Sequence, residues 1–392
     1  MVLESALVRL FGAARMRVCH VCSGHSADDG RVFHRACVSL AAAGYDVHLI
    51  ARARGTEPFV DQGVTIHPLP ESASRRERLS RRSQVAQLAT GLKADVFHVH
   101  EPELLGPVIA RAGSRPVIWD VHESYLDVLM DRKWIPRALR PVARLAWDLE
   151  ERRLVRRCAA VVAATERVAQ RYGALHDNVV TVSNYPDLSE MVGLPSVARN
   201  GATCVYAGTI LPNRGLAQVF AALAVLRERG VSLRLELAGK GSEEYLRVLL
   251  SEAERLGVRE LVSYHGVLSK RDALLLQLGA SIGVVPGLPV GNNLAAVPVK
   301  MVECMALGLP LVFSDFPSHR EVAGLYGAGI GVDPTDVVQI ADALEHLVRN
   351  PDLARKMGEN GRRAVQTRFN WDVERVKLLS LYREILGPFR AG

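Results

Sequence analysis

The sequence predicts an α/β protein built as two Rossmann-like αβα domains facing a central cleft. Three observations carry this. The chain has 392 residues, more than one hydrophobic core ordinarily organises. Short apolar runs ending in turns alternate with amphipathic helical patterns, which is the signature of βαβ units and a parallel sheet. The alternation stops once, in PDLSEMVGLPSVARNG, where Pro, Gly and Asn are scattered without a period, and then restarts. The resulting boundaries are 1–185 for the first domain, 186–202 for the linker, 203–370 for the second domain, and a last helix over 371–390. In such sheets the loops at the carboxyl ends of the strands face the ligand crevice.

In the first domain, residues 17–22 (RVCHVC) form a strand that ends at Ser23 and Gly24. Val32, Ala36, Leu40 and Ala43 share a helical face that Gly44 closes, and residues 46–51 return as a second strand. No GxGxxG follows the first strand, which weakens a nicotinamide-binding reading. Residues 64–69, 95–99 and 116–121 are further strands, and 72–82 is an exposed loop or helix start. The last two strands run into His98-Val99-His100-Glu101 and Asp120-Val121-His122-Glu123. On residue type alone, His98 and His100 read as satisfied structural histidines. His122, placed after a strand, reads as functional. Residues 133–157 are helical and basic, with Leu139, Val142, Leu145 and Leu149 on one face, and strands at 160–164 and 179–182 finish the domain.

In the second domain, strands at 203–207, 233–238, 261–265 and 281–285 alternate with helices at 216–229 and 243–256. Val337, Ile340, Leu344 and Leu347 mark a late helix, and Val373, Val376, Leu379, Tyr382 and Leu386 place one stripe on the last.

Composition excludes several classes. Hydrophobic residues make up 48% and charged residues 23% of the chain, ordinary for a globular protein. No apolar run is long enough to cross a bilayer, and Glu4 with only short apolar runs makes the N-terminus a poor signal peptide. The net charge of +7 is mostly arginine, concentrated in 75–82 and 132–157. Those segments read either as solvated helix faces or as a peripheral contact to anionic lipid or a phosphorylated acceptor. Without an RNA-binding aromatic signature or zinc-finger spacing, nucleic acid is not an expected partner. Cys19 and Cys22 form a CxxC within a strand pattern, with no second pair for zinc, so they read as buried small residues in a reducing, cytoplasmic protein.

The chemistry gathers at residues 297–314, VPVKMVECMALGLPLVFS, a helix start bearing a lysine and an acid before a buried strand. Three strand-end loops of the second domain meet a common purpose: Thr209 with Arg214, then Gly239-Lys240-Gly241, then Lys300 with Glu303. Arginine and lysine neutralise a diphosphate. Glycines let backbone N–H groups approach phosphate oxygens. An ionised carboxylate accepts from both hydroxyls of a ribose.

From Thr203 onward the chain closely resembles the second half of GT-B glycosyltransferases of the retaining family 4 (group 1) type. The matching stretches are YAGTILPNRGL, LELAGKG and PVKMVECMALGLPLVFSDFPSHREVA, with FNWDVERVKLLSLY resembling that family's closing helix, which packs back on the first domain. The first half is similar more loosely, through its glycine turn, DDGRVFHRACVSLAAAGYDVHLIA and the DVHE run. The resemblance implies that Glu303 binds the donor ribose and that Arg214 contacts the diphosphate. It implies Gly24 and Gly208 in turns near the phosphates, and His122 beside the donor sugar. Catalytic roles fall to His122, Arg214 and Lys300. The donor set is Gly24, Gly208, Thr209, Arg214, Gly239, Lys240, Asn292, Asn293, Leu294, Lys300 and Glu303. Acceptor contacts are assigned to Asp29, Arg31, His100 and Glu123. Two departures stand out: Thr209 where the family often has an arginine, and Ala295 where it has the first acid of its E-x7-E. The sugar contact of that acid is expected to be absent or taken by Asn292, Asn293 or backbone N–H groups of 291–296.

The expected reaction is retaining transfer of a sugar from a UDP- or GDP-sugar to a hydroxyl of a small-molecule or lipid-linked acceptor. It needs no cofactor, and no well-placed DxD suggests a metal. A GT-B-type sugar-nucleotide epimerase and a non-catalytic sugar-nucleotide binder are the alternatives.

Overall fold

The computed structural model describes residues 15–72, 74–123, 136, 139–197, 199 and 201–387. They separate into two compact units: the described residues up to Asn184 together with those from Val373 on, and Tyr185–Asp372. The N-terminal residues 1–14 and part of the basic segment 132–157 lie outside the described residues.

The first unit is an eight-stranded sheet in the order β3-β4-β2-β1-β5-β6-β7-β8. Its strands are β1 (Arg17–Ser26), β2 (Asp46–Arg52), β3 (Phe59–Asp61), β4 (Val64–Leu69), β5 (Val96–Val99), β6 (Val117–Val121), β7 (Ala160–Ala163) and β8 (Val179–Thr181). Every pairing is parallel except that of the short β3 with β4. The inner strands read as nearly continuous apolar runs because both faces are covered: Val18, Cys19, Val21 and Cys22 of β1 are all fully buried. The chain runs from β1 outward to β2, then returns to β5 on β1's other side, so the switch point of the sheet lies between β1 and β5.

The second unit is a six-stranded parallel sheet, β11-β10-β9-β12-β13-β14. It comprises β9 (Thr203–Ala207), β10 (Arg234–Ala238), β11 (Val262–Tyr264), β12 (Ile282–Val285), β13 (Leu311–Ser314) and β14 (Gly329–Val332). Its switch point lies between β9 and β12. Phe220, Leu223, Leu235, Leu237 and Leu344 centre one core layer, and Met301, Met305, Leu311 and Phe313 the other. The described residues of 186–202, which the sequence suggests as a linker, run along this unit, with Leu188, Met191 and Leu194 packed on the second layer.

Three helices differ from expectation. The exposed start at 72–82 belongs to a full helix, α2 (Arg75–Gly91), capped by Ser74 Oγ accepting from the Glu77 N–H. In α4 (Arg140–Val155) the stripe of Leu139, Val142, Leu145 and Leu149 faces out, while Glu151, Leu154 and Val155 face in. Glu151 decides the orientation by accepting from Tyr172 Oη at 2.7 Å and Trp147 Nε1 at 3.2 Å, and by pairing with Arg171. In α12 (Trp371–Leu386) the buried face is Trp371, Glu374, Leu378, Leu381 and Tyr382, and Val376 is exposed. Glu374 turns inward because its carboxylate accepts from the Ser183 N–H at 2.8 Å and from Lys377. Near the first helix, Gly30–Cys37 is π-helical and leads into α1 (Val38–Ala42).

Candidate active site

In the second unit the site residues surround the switch point between β9 and β12. Gly208 follows β9 at φ +153, and a Cβ there would collide with Lys300 Nζ. Gly239 follows β10 at φ +139, and its Cβ would collide with the carbonyl of Gly208. The two glycines therefore let the strand-end loops lie back to back. Ile210 N–H donates to the Lys240 carbonyl at 2.8 Å, and Tyr206 Oη donates to the Thr209 carbonyl at 2.8 Å. Thr209 shapes its loop through this backbone bond. The Lys240 side chain is exposed at the rim.

Arg214 ends the short turn Pro212–Arg214. Its Nη1 donates to Asn293 Oδ1 at 2.8 Å, while its buried Nε has no partner. Asn293 in turn donates to the carbonyls of Asn213 at 2.8 Å and Leu288 at 2.9 Å. With its amide spent on both loops and only 9% exposed, Asn293 fixes Arg214. Leu294 is exposed beside it, and the side chain of Asn292 lies outside the described residues.

Lys300 and Glu303 sit on successive turns of α9 (Val299–Ala306). Lys300 Nζ lies 3.7 Å above the Tyr206 ring, a cation–π contact. Burial, then the positive Arg214, push its pKa down to about 7 against the opposing pull of Glu303. Among the described residues neither Arg214 nor Lys300 has a carboxylate partner within ion-pair distance. Glu303 is paired with Lys270, whose Nζ also lies 3.5 Å from Glu190. Lys270 begins α8 (Lys270–Gly279). Sequence reasoning missed it, because a pairing across 33 residues leaves no periodic trace.

The first unit holds a second polar cluster at its own switch point. Glu101 accepts from the backbone N–H groups of Ser23 at 3.0 Å, Gly24 at 2.6 Å and His25 at 3.1 Å, and lies 2.9 Å from His25 Nδ1. Burial alone would raise its pKa, but His25 foremost, with the Ser23 N–H adding to it, holds it at about 2. The turn expected to meet phosphate through Gly24 is thus occupied by an internal carboxylate. Asp120 is buried against Arg31, at 2.7 Å. Burial is outweighed there by Arg31 foremost and then His122, which hold Asp120 well below the usual carboxylate range.

These contacts give three of the residues expected to meet the acceptor partners inside the first unit. Arg31 is an interior residue, bound to Asp120 and, at 2.7 Å, to the Val182 carbonyl. His100 is fully buried and faces Asp120 and two histidines. Asp29 caps the π-helical turn by accepting from the Arg31 and Val32 N–H groups, both at 2.9 Å. His122 and Glu123 remain partly exposed after β6. His98, His100 and Asp120 approach closely enough to share an ion, as do Cys22, His25 and Glu101. The Arg31 guanidinium on Asp120 and a Cys22 thiol kept protonated chiefly by burial make both poor ligand sets.

Two doubly wound sheets, the second with paired cations and a carboxylate at its strand ends, define an α/β nucleotide-handling class. Profile comparison agrees: glycosyl transferases group 1 matches residues 197–364 and Glycosyltransferase Family 4 matches residues 30–190. The chain is 25% identical over 342 residues to a protein named putative glycosyltransferase EpsD of Bacillus subtilis, covering 82% of this chain and 84% of that one. It is 26% identical to the phosphatidyl-myo-inositol mannosyltransferase of Mycobacterium leprae, over 74% of each. Its fold is similar to sucrose-phosphate synthase from Thermosynechococcus elongatus, with a TM-score of 0.75 at 17% identity over 95% of this chain and 99% of that one. Both units thus match glycosyltransferase families, the second that of group 1, and the architecture is GT-B.

Proposed function

We propose that this enzyme transfers a sugar, with retention and without a metal, from a UDP- or GDP-sugar to a hydroxyl of a small-molecule or lipid-linked acceptor. The observation that carries the reading is the pair Arg214 and Lys300, two partly buried basic side chains without a carboxylate partner among the described residues, set beside Glu303 at one switch point. Such a pair suits the diphosphate, and Glu303 suits the ribose once Lys270 yields or shares it. The bond from the anomeric carbon to the diphosphate breaks, and Arg214 and Lys300 offset the charge that develops on the departing oxygen. The positive charge that Arg214 carries, and that Lys300 takes on with a diphosphate bound, supports the metal-independent reading. The acceptor hydroxyl bonds to the same face of the sugar and passes its proton to the departing phosphate, giving glycosylated acceptor and nucleoside diphosphate. His122 and Glu123 are assigned to sugar and acceptor.

A lipid-linked acceptor is favoured by the outward Leu139, Val142, Leu145 and Leu149 of α4, an apolar stripe among arginines. Sedimentation with phosphatidylglycerol vesicles, compared with phosphatidylcholine, tests that part.

For the chemistry, Arg214→Ala is expected to lower kcat about a hundredfold, and Glu303→Ala to weaken donor binding about tenfold. Steady-state kinetics and calorimetric titration across a panel of UDP- and GDP-sugars measure both. Unchanged values in both variants would sink the site assignment.

A further inference from the structure

The first unit buries an unusual number of titratable rings. In-register pairing of β1 with β5 places His20 beside His98. The two-residue period of strands then puts His100, Asp120 and His122 on that same face. Tyr382 of α12 covers them, fully buried.

The rings form one continuous chain. His98 Nδ1 lies 2.7 Å from Tyr382 Oη, which lies 3.3 Å from His20 Nε2. His20 Nδ1 lies 2.9 Å from His100 Nε2, and His100 Nδ1 lies 3.2 Å from His122 Nε2. Asp120 Oδ2 stands 3.8 Å from His98 Nε2, 3.4 Å from His100 Nδ1 and 3.5 Å from His122 Nε2.

A neutral imidazole carries one ring proton, and each bond of the chain needs one. The choice at one end therefore fixes every other. Burial foremost, then neighbouring histidines, keeps His20 and His98 well below the ordinary histidine value, hence neutral. In one direction every histidine holds its proton on Nε2. Then His98 and His122 both turn an N–H toward Asp120, and only His100 turns a lone pair. In the other direction two lone pairs face the carboxylate, and buried His98 Nε2, which has no hydrogen-bond partner, has no favourable contact at all. The first direction wins.

We infer that Tyr382 is a positioning residue for His122: through His20 and His100, with His98 as the far anchor, it holds His122 as the Nε2–H tautomer and leaves Nδ1 as an acceptor for a substrate hydroxyl. His122 Nδ1 has no hydrogen-bond partner among the described residues, and the side chain is 19% exposed. The groups that face the relay are Asp120 and Arg31, His25 with Glu101 at the end of β1, and the Tyr45 ring, 5.7 Å from that of Tyr382. The inference rests on the assignment of His122 to the reaction.

The test is Tyr382→Phe in the full chain, which keeps the ring and removes the hydroxyl. Ring 15N shifts of 15N-histidine-labelled protein distinguish an N–H from a bare nitrogen. The wild type should show His122 with Nε2 protonated and Nδ1 bare, and Tyr382→Phe should mix the tautomers. The variant should also lose about tenfold in kcat with donor KM unchanged, and shift its kcat–pH profile. A lower melting temperature with unaltered His122 shifts and a superimposable pH profile would show Tyr382 to be a packing residue and overturn the proposal. His122→Asn separates the two layers. Full activity in that variant would remove His122 from the reaction, while the wild-type 15N pattern would still decide the relay.

Discussion

Lys300 shows what one residue does when burial and function conflict. Its ammonium is held over an aromatic ring beside Arg214, and its pKa falls to about 7. Above that pH the free protein carries Lys300 largely neutral. A bound diphosphate would stabilise the charged form and raise its pKa, so binding takes up a proton. The sign follows: donor affinity is flat below pH 7, where Lys300 is already charged. It falls by up to about tenfold per pH unit above it, until the bound-state pKa is passed. The diphosphate of a nucleotide sugar is a diester with no proton to lose in that range. Calorimetric titration at pH 8 in buffers of different ionisation enthalpy should show uptake approaching one proton, absent at pH 6 and absent in Lys300→Met. No uptake at pH 8 in the wild type would take Lys300 out of the diphosphate contact.

The loops after β9 and β10 place the same chemistry at the scale of elements. Gly239, at φ +139, lies where a Cβ would strike the Gly208 carbonyl. Gly239→Ala is expected to cost more than about 2 kcal/mol, through both the backbone conformation and the collision. For a unit of this size that lowers Tm by about 4 °C or more, with weaker donor binding as the loops part. Gly230→Ala is the control: its φ is +72 but nothing lies within 4 Å, so only the conformational cost applies. Scanning calorimetry of the two variants separates collision from conformation. The strands around these loops were legible in the sequence because buried parallel strands are unbroken apolar runs, and glycines mark where they end. The facing of α4 and α12 was not, because single carboxylates, Glu151 and Glu374, turn those helices toward partners far along the chain. At the site, Arg214, Lys300 and Glu303 were legible as charges at strand ends. Asn293 as a brace and Lys270 as the partner of Glu303 were not, since each depends on which loops the fold brings together.

At the scale of the molecule the chain closes on itself: the first unit is completed by residues that follow the second in sequence. Glu374, Leu378, Leu381 and Tyr382 are at most 2% exposed, and Tyr382 Oη is the hydrogen-bond partner of His98 and His20. Burying an apolar side chain of this kind contributes about 1.5–3 kcal/mol, so three of them approach the whole stability of a typical domain, about 5–15 kcal/mol. Removing them also strips partners from buried imidazoles, which adds the cost of unsatisfied polar groups. Truncation after Asp372 should therefore abolish the first unit's unfolding transition. The second unit keeps its own sheet and both core layers, so its transition should persist. Scanning calorimetry resolves the two events, and limited proteolysis should cut the truncated chain throughout residues 17–184 while sparing 203–367. Two transitions at their wild-type temperatures in the truncated chain would reduce α12 to a cover. The histidine layer beneath it would then have to be stable with Tyr382 gone, which its buried, neutral rings make physically costly.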